Sequence, residues 1–140
     1  MIDFNRRSAM TLGLTIAAAA PLAVLPKPAV AGMYAAEAGK EIMPGIRQVE
    51  LGEWPVKLGG YTKAVVNDYV FAPGAGFPAE AMKNDMLCQT LEGEISTVQD
   101  GKAFMTKAGQ AYSCVTGMVA GDKNDSGAPA VMRVIDLLAT

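Results

Sequence analysis

Between Ile46 and Leu138 turn-forming residues cut the chain about every 8 to 12 residues, a spacing that suits short antiparallel strands and little else. The cuts are Gly59-Gly60, the stretch Pro73–Pro78, Glu92-Gly93, Asp100-Gly101, Lys107-Ala108-Gly109, Thr116-Gly117 and the loop Asp122–Pro129. The stretches they bound are Ile46–Leu51, Tyr61–Phe71, Met86–Val98 (itself broken at Glu92-Gly93), Lys102–Thr106, Ala111–Val115, Met118–Gly121 and Ala130–Leu138. Tyr61–Phe71 (YTKAVVNDYVF) is rich in β-branched and aromatic residues, which suit a pleated, half-buried surface. Asp100-Gly101 supplies the two positive-φ residues of a tight hairpin. The pattern predicts an all-β sandwich or barrel, and 140 residues with 51% hydrophobic content suffice for one closed core.

Two stretches then carry a spacing of their own. Gly74, Glu80, Met82, Met86 and Gly93 stand as G-x5-E-x-M-x3-M-x6-G; Gly109, Val115, Gly117, Ala120 and Asn124 stand as G-x5-V-x-G-x2-A-x3-N. This resembles the two motifs of the cupin family, G-x5-H-x-H-x3 or 4-E-x6-G and G-x5-P-x-G-x2-H-x3-N, over about Gln48 to Leu138. The resemblance implies a single-domain antiparallel β-barrel of the double-stranded β-helix, or jelly-roll, type from residue 46 to 140. It also implies that Glu80, Met82, Met86 and Ala120 line one cavity, at the positions where the family has two histidines, a glutamate and a third histidine. Gly74, Gly93, Gly109 and Gly117 become backbone devices, and Asn124 a holder of the loop that follows the second motif. By the same analogy Cys88 and Cys114 lie on adjacent strands, as a disulfide or a pair of thiols, and a homodimer formed across a sheet edge is the default assembly.

What is missing limits the chemistry. The chain has no histidine, which removes the commonest metal ligand and the commonest general base. One carboxylate, two thioethers and a methyl group do not make a site for Mn, Fe or Zn, so no metal is expected on the standard ligands. Three functional readings follow. The first is an exported protein that binds an unknown small molecule or a partner in a barrel without the family's metal, its pocket built from Glu80, Met82, Met86, Cys88, Met118 and Ala120. The second is a lyase, isomerase or oxygenase-type enzyme using a non-standard metal or Glu80 as catalytic residue, provided burial raises its pKa; beside Lys83, Asn84 and Asp85 it is equally compatible with a water-filled barrel mouth. The third is copper handling, since Met86 and Cys88 share a strand face and sulfur suits Cu(I); the same residues also serve as plain core filler. Arg133 and Asp136 read as an exposed ion pair.

The N-terminus is organised differently. Arg6-Arg7 precedes an uncharged run of 16 residues, Met10–Leu25, then Lys27 and the small-x-small triplet Ala29-Val30-Ala31. That order is an export signal of the twin-arginine type over residues 1–31. The run is short of the roughly 20 apolar residues of a spanning helix, so no membrane anchor is expected once the signal is removed. Residues 32–45 read as a flexible arm, and the protein as periplasmic or secreted. Loss of Arg6, Arg7, Lys27 and Asp3 takes the formal charge from −2 to −4, which argues against nucleic acid as a partner.

The signal reading makes a direct prediction. Replacing Arg6 and Arg7 with Lys should leave precursor in the cytoplasm, whereas the parent protein should be recovered from the periplasm with Gly32 as its first residue. N-terminal sequencing and fractionation check both, and unchanged export of the variant would assign the protein to the general secretory route.

Overall fold

A computed structural model describes residues 32–139; the export-signal reading falls on residues outside these. Ten strands follow in order: β1 (Lys40–Met43), β2 (Ile46–Leu58), β3 (Tyr61–Phe71), β4 (Gly76–Ala81), β5 (Asp85–Glu92), β6 (Glu94–Gln99), β7 (Lys102–Lys107), β8 (Ala111–Cys114), β9 (Val119–Lys123) and β10 (Ala130–Leu138). All pairings are antiparallel, in a six-stranded sheet ordered β1-β2-β3-β10-β5-β8 and a four-stranded sheet ordered β4-β9-β6-β7. The expected all-β, cupin-like barrel is the observed architecture. No helix among the described residues is long and apolar enough to cross a membrane.

One turn, at Gly93, carries the chain from sheet to sheet, and a second folds it back within the four-stranded sheet. Gly93 alone separates β5 in one sheet from β6 in the other, at φ 72°. A Cβ there would stand 2.9 Å from the Pro129 carbonyl oxygen, so the switch needs glycine both for its dihedral and for the close approach. Asp100 and Gly101, at φ 46° and 82°, turn β6 into β7, and Asp100 Oδ1 accepts the Val119 N–H at 3.0 Å.

The segment read as a loop, Pro73–Pro78, instead enters β4 at Gly76. β4 lies at the edge of its sheet and its register shifts between Phe77 and Glu80, which is where a strand tolerates a proline such as Pro78. Ile46–Leu51 is likewise only the first half of a 13-residue strand.

The core fills one end of the barrel. Ile46, Phe71, Ile95, Ala130 and Met132 are buried there, and Phe77 meets Phe71 and Tyr69 edge-on, with ring centroids 5.4 and 5.3 Å apart. The two sheets are also joined by the Thr90 and Thr106 hydroxyls, 2.6 Å apart. Asn124 is fully buried and fully bonded: its amide donates to the Phe71 and Ala128 carbonyls at 3.1 and 2.7 Å, and its Oδ1 accepts from the Ser126 N–H and hydroxyl.

Residues 32–45 are not a loose arm. Lys40–Met43 pairs with the start of β2 around Pro44-Gly45. Arg47 donates to the carbonyls of Glu37, Ala38 and Gly39 at 2.8 to 2.9 Å. Tyr34 donates its hydroxyl to Asp68 at 2.5 Å, and the same carboxylate takes both arms of the Arg133 fork at 2.8 and 2.9 Å. Asp68 is wholly buried on the outer face of the six-stranded sheet because Arg133 and Tyr34 cover it. The absence of hydrophobic period in this segment misleads: its order comes from polar bonds to distant residues.

This arrangement predicts unequal costs on the outer face. Arg133→Met keeps the aliphatic stem but leaves Asp68 with Tyr34 alone, and should destabilise by about 3 kcal/mol. Tyr34→Phe removes one hydrogen bond and should cost about 1 kcal/mol while speeding proteolysis before Lys40. Urea denaturation with limited proteolysis measures both.

Candidate functional site

The other end of the barrel is open and holds a cavity of about 360 Å³. Strand alternation builds its walls. β10 contributes Met132, Val134 and Asp136; β5 contributes Met86 and Cys88; β8 contributes Cys114; β9 contributes Ala120 and Asp122. Tyr69, Met43 and Phe77 close the inner side, and Glu80, Met82, Lys83 and Asn84 form the rim. Asp85 pins that rim: it accepts the Tyr61 hydroxyl and, through Oδ1, the Thr116 N–H and hydroxyl at 2.7 and 3.0 Å. These hydrogen bonds, that from Tyr61 foremost, hold its pKa below the usual carboxylate range.

Five of the six residues expected in the pocket, Glu80, Met82, Met86, Cys88 and Ala120, line this cavity. Met118 does not. It closes the turn from Val115, and its carbonyl accepts the Met82 N–H at 2.8 Å; the alternation that would aim it inward begins only with β9. Ala120 lies opposite Glu80 in the β4–β9 ladder and is 3% exposed. Glu80 itself is exposed, as at a water-filled barrel mouth, and lacks the burial that the catalytic reading requires. Gly74, Gly109 and Gly117 all have positive φ.

The shielded carboxylate is Asp122. Desolvation raises its pKa, opposed by hydrogen bonds to Oδ1 from the Tyr112 hydroxyl at 2.5 Å and the Thr97 hydroxyl at 2.7 Å. Burial likewise pushes up Asp136, against the effect of Asn84. Tyr112 is held protonated by burial first and the neighbouring Asp122 second, and its hydroxyl also lies 3.3 Å from Met132 Sδ. Both aspartates were legible in principle. Asp122 follows Ala120 by two and so shares its strand face, but Asp122–Pro129 reads as one loop because of its polar, Gly/Pro-rich run. Asp136 follows Met132 and Val134 at the same interval, while Arg133 points to the opposite face. The expected Arg133–Asp136 pair is therefore replaced by Arg133–Asp68, since residues three apart on a strand cannot meet.

The cysteines are both free and both buried. They lie on adjacent strands, but β8 places Cys114 opposite Met86 and Tyr112 opposite Cys88. That two-residue offset makes them diagonal neighbours, not the directly opposed pair a cross-strand disulfide would use. Burial raises the pKa of each thiol, and at Cys114 a Gln99 side-chain N–H donated to Sγ at 3.1 Å opposes the shift. Among the described residues no three His, Cys, Asp or Glu side chains are grouped to hold a metal. Sulfur is nonetheless abundant: Met43, Met82, Met86, Met132, Cys88 and Cys114 all line the cavity.

No protein-family model and no curated protein matches the sequence. Solved structures do match the fold. An RmlC-like cupin from Shewanella frigidimarina NCIMB 400 superposes with TM-score 0.58 at 15% identity, covering 71% of this chain and 82% of that one. A Cupin 2 conserved barrel domain protein from Salinispora arenicola CNS-205 gives TM-score 0.56 at 18% identity over 68% and 77% of the two chains. The Cupin_2 domain of an XRE family transcriptional regulator from Enterobacter cloacae gives 0.55 at 17% identity over 69% and 99%. At these identities the likeness concerns architecture alone, and with the strand order above it makes the described part of this chain a cupin-like β-barrel.

Proposed function

We propose that the protein is an exported, cupin-like binding protein whose barrel takes a small molecule in place of the usual metal centre. The observation that carries this reading is the open cavity of about 360 Å³, kept at the end of the barrel where the motif positions converge but walled by thioether, thiol, aromatic and methyl groups. Pockets of this size and character, apolar with a few convergent polar groups, are the usual form of small-molecule sites. The polar groups here are mainly acceptors: Glu80, Asp122 and Asp136 against one cation, Lys83. They select a ligand with an apolar body and a hydrogen-bond-donating or cationic end. Export rests on the order of Arg6-Arg7, the apolar run and Ala29-Val30-Ala31. A homodimer is supported by β2, whose outer edge is paired, among the described residues, only as far as Gln48 and which exposes Leu51, Trp54 and Leu58 beyond it.

A second reading, metal-free proton transfer, is favoured by one feature. Asp122 is a shielded carboxylate with its proton affinity raised by desolvation, as a general acid or base requires. The role expected of Glu80 then passes to Asp122, with Glu80 left at the rim to meet the substrate.

Native mass spectrometry of protein recovered from the periplasm tests the binding reading. A co-purifying mass should be present, and Ala120→Trp, which fills the cavity from its buried wall, should abolish it while the circular dichroism stays that of a β-barrel. Only the protein's own mass in every preparation, with no thermal stabilisation by a panel of small amines, would overturn the reading. Asp122 also makes a pH prediction. Its raised pKa means the folded state keeps the proton to higher pH than the unfolded chain does. The stability this contributes is complete below the ordinary carboxylate value and is lost as pH rises through the raised one. Asp122→Asn should therefore melt higher than the parent at pH 7, and the difference should vanish near pH 4; Asp136, shifted in the same direction, should leave part of the slope in place.

A further inference from the structure

We propose that Cys88, Cys114 and Met86 form a binding site for a soft monovalent metal ion, Cu(I), in the wall of the cavity. Three independent features converge on these side chains. The first is placement. Met86 and Cys88 stand two apart on β5 and share its inner face, while Cys114 stands directly opposite Met86 on β8. Directly opposed side chains have Cβ atoms about 4.5–5.5 Å apart. The two thiols are diagonal neighbours across the β5–β8 ladder, and both are buried. On the other flank of Cys88, Val134 of β10 lies directly opposite and Met132 diagonally, its Sδ within the same buried layer.

The second feature is chemistry. With no histidine in the chain and no three His, Cys, Asp or Glu side chains grouped among the described residues, the four-ligand set that Zn takes is not assembled here, whereas two thiols and a thioether suit Cu(I). The third is enclosure and access together. Cys88, Cys114 and Met132 are 1%, 3% and 1% exposed, a water-poor setting for sulfur ligation. Met82, at the rim, and Met86 further in are partly exposed, so thioethers run from the mouth to the thiols.

Ligation transfers no electron. Cu(I) accepts a lone pair from sulfur as the S–H bond breaks, and the thiol proton leaves through the mouth. One thiolate and one Cu(I) are together neutral, which suits a wall that already faces Asp122 on β9, Asp136 on β10, Tyr112 on β8 and Tyr69 on β3, with Glu80 and Lys83 at the rim. Affinity therefore rises with pH, by at least one proton displaced per ion.

The test is an anaerobic titration of the reduced full chain with Cu(I) against a chromophoric Cu(I) chelator, followed by maleimide alkylation and intact-mass measurement. One equivalent should be withheld from the chelator, and both cysteines should be protected. Cys88→Ser and Cys114→Ser should each weaken binding at least tenfold and Met86→Leu several-fold, while Met105→Leu, at an exposed methionine outside the cavity, should change nothing. Binding unaffected by the cysteine changes, independent of pH, or absent from the folded parent would overturn the proposal. If a serine variant does not fold, the alkylation pattern of the parent with and without Cu(I) decides the matter. The small-molecule reading is tested separately: a co-purifying mass that survives in folded Cys88→Ser protein keeps that reading whatever the outcome for copper.

Discussion

The register of β10 is the constraint on which the rest of the structure depends. This strand pairs with β3 on one side from Ala130 to Leu138 and with β5 on the other from Val131 to Leu137. Because strand side chains alternate, that double pairing assigns every residue of three strands to the inside or the outside of the barrel. Met132, Val134 and Asp136 face in beside Tyr69, Cys88 and Met86; Arg133 faces out onto Asp68. A slip of one residue would turn the Arg133 fork into the apolar interior and put Val134 in water. The buried Asp68–Arg133 pair thus opposes one particular error, the fully satisfied polar contact being available only in the native register.

The cavity is a consequence of the same alternation. The frame that sends the motif positions to one end of the barrel does not depend on what stands at them. It is held by backbone devices, by the Gly93 switch between sheets and by Asn124 bonding to Phe71 and Ala128. With thioether and methyl groups at the motif positions the frame is intact, and the interior is a polarizable, sulfur-lined wall. Electrostatically the interior is acceptor-rich. Asp122 is tolerated there because Tyr112 and Thr97 donate to it, and the cost of its partial desolvation appears as a raised proton affinity.

The N-terminal strap shows how order is obtained without an apolar face. Arg47 satisfies three consecutive carbonyls, and Tyr34 shares Asp68 with Arg133. Each bond is modest alone. Together with β1, which extends the six-stranded sheet at its edge, they fix residues 32–45 in place and bring Tyr34 over Asp68 on the outer face of β3.

The sequence by itself determined the all-β class and most turn positions, because glycine, proline and Asp-Gly turns are local signals; the choice of barrel over sandwich came from the resemblance of the motif intervals, which run from β4 into β5 and from β8 into β9. It also identified Glu80, Met82, Met86, Cys88 and Ala120 as neighbours of one cavity. Tertiary structure alone decided how much water each one meets. Glu80 lies exposed on an edge strand while Asp122, two residues beyond Ala120, is shielded. It decided that Cys88 and Cys114 sit diagonally, since the offset between β5 and β8 depends on the turns at both ends of the pair. It also decided that Asp68 would hold both Arg133 and Tyr34, partners 65 and 34 residues away. Periodicity tells which residues share a face; burial and pairing depend on what another strand brings opposite, and no local pattern encodes that.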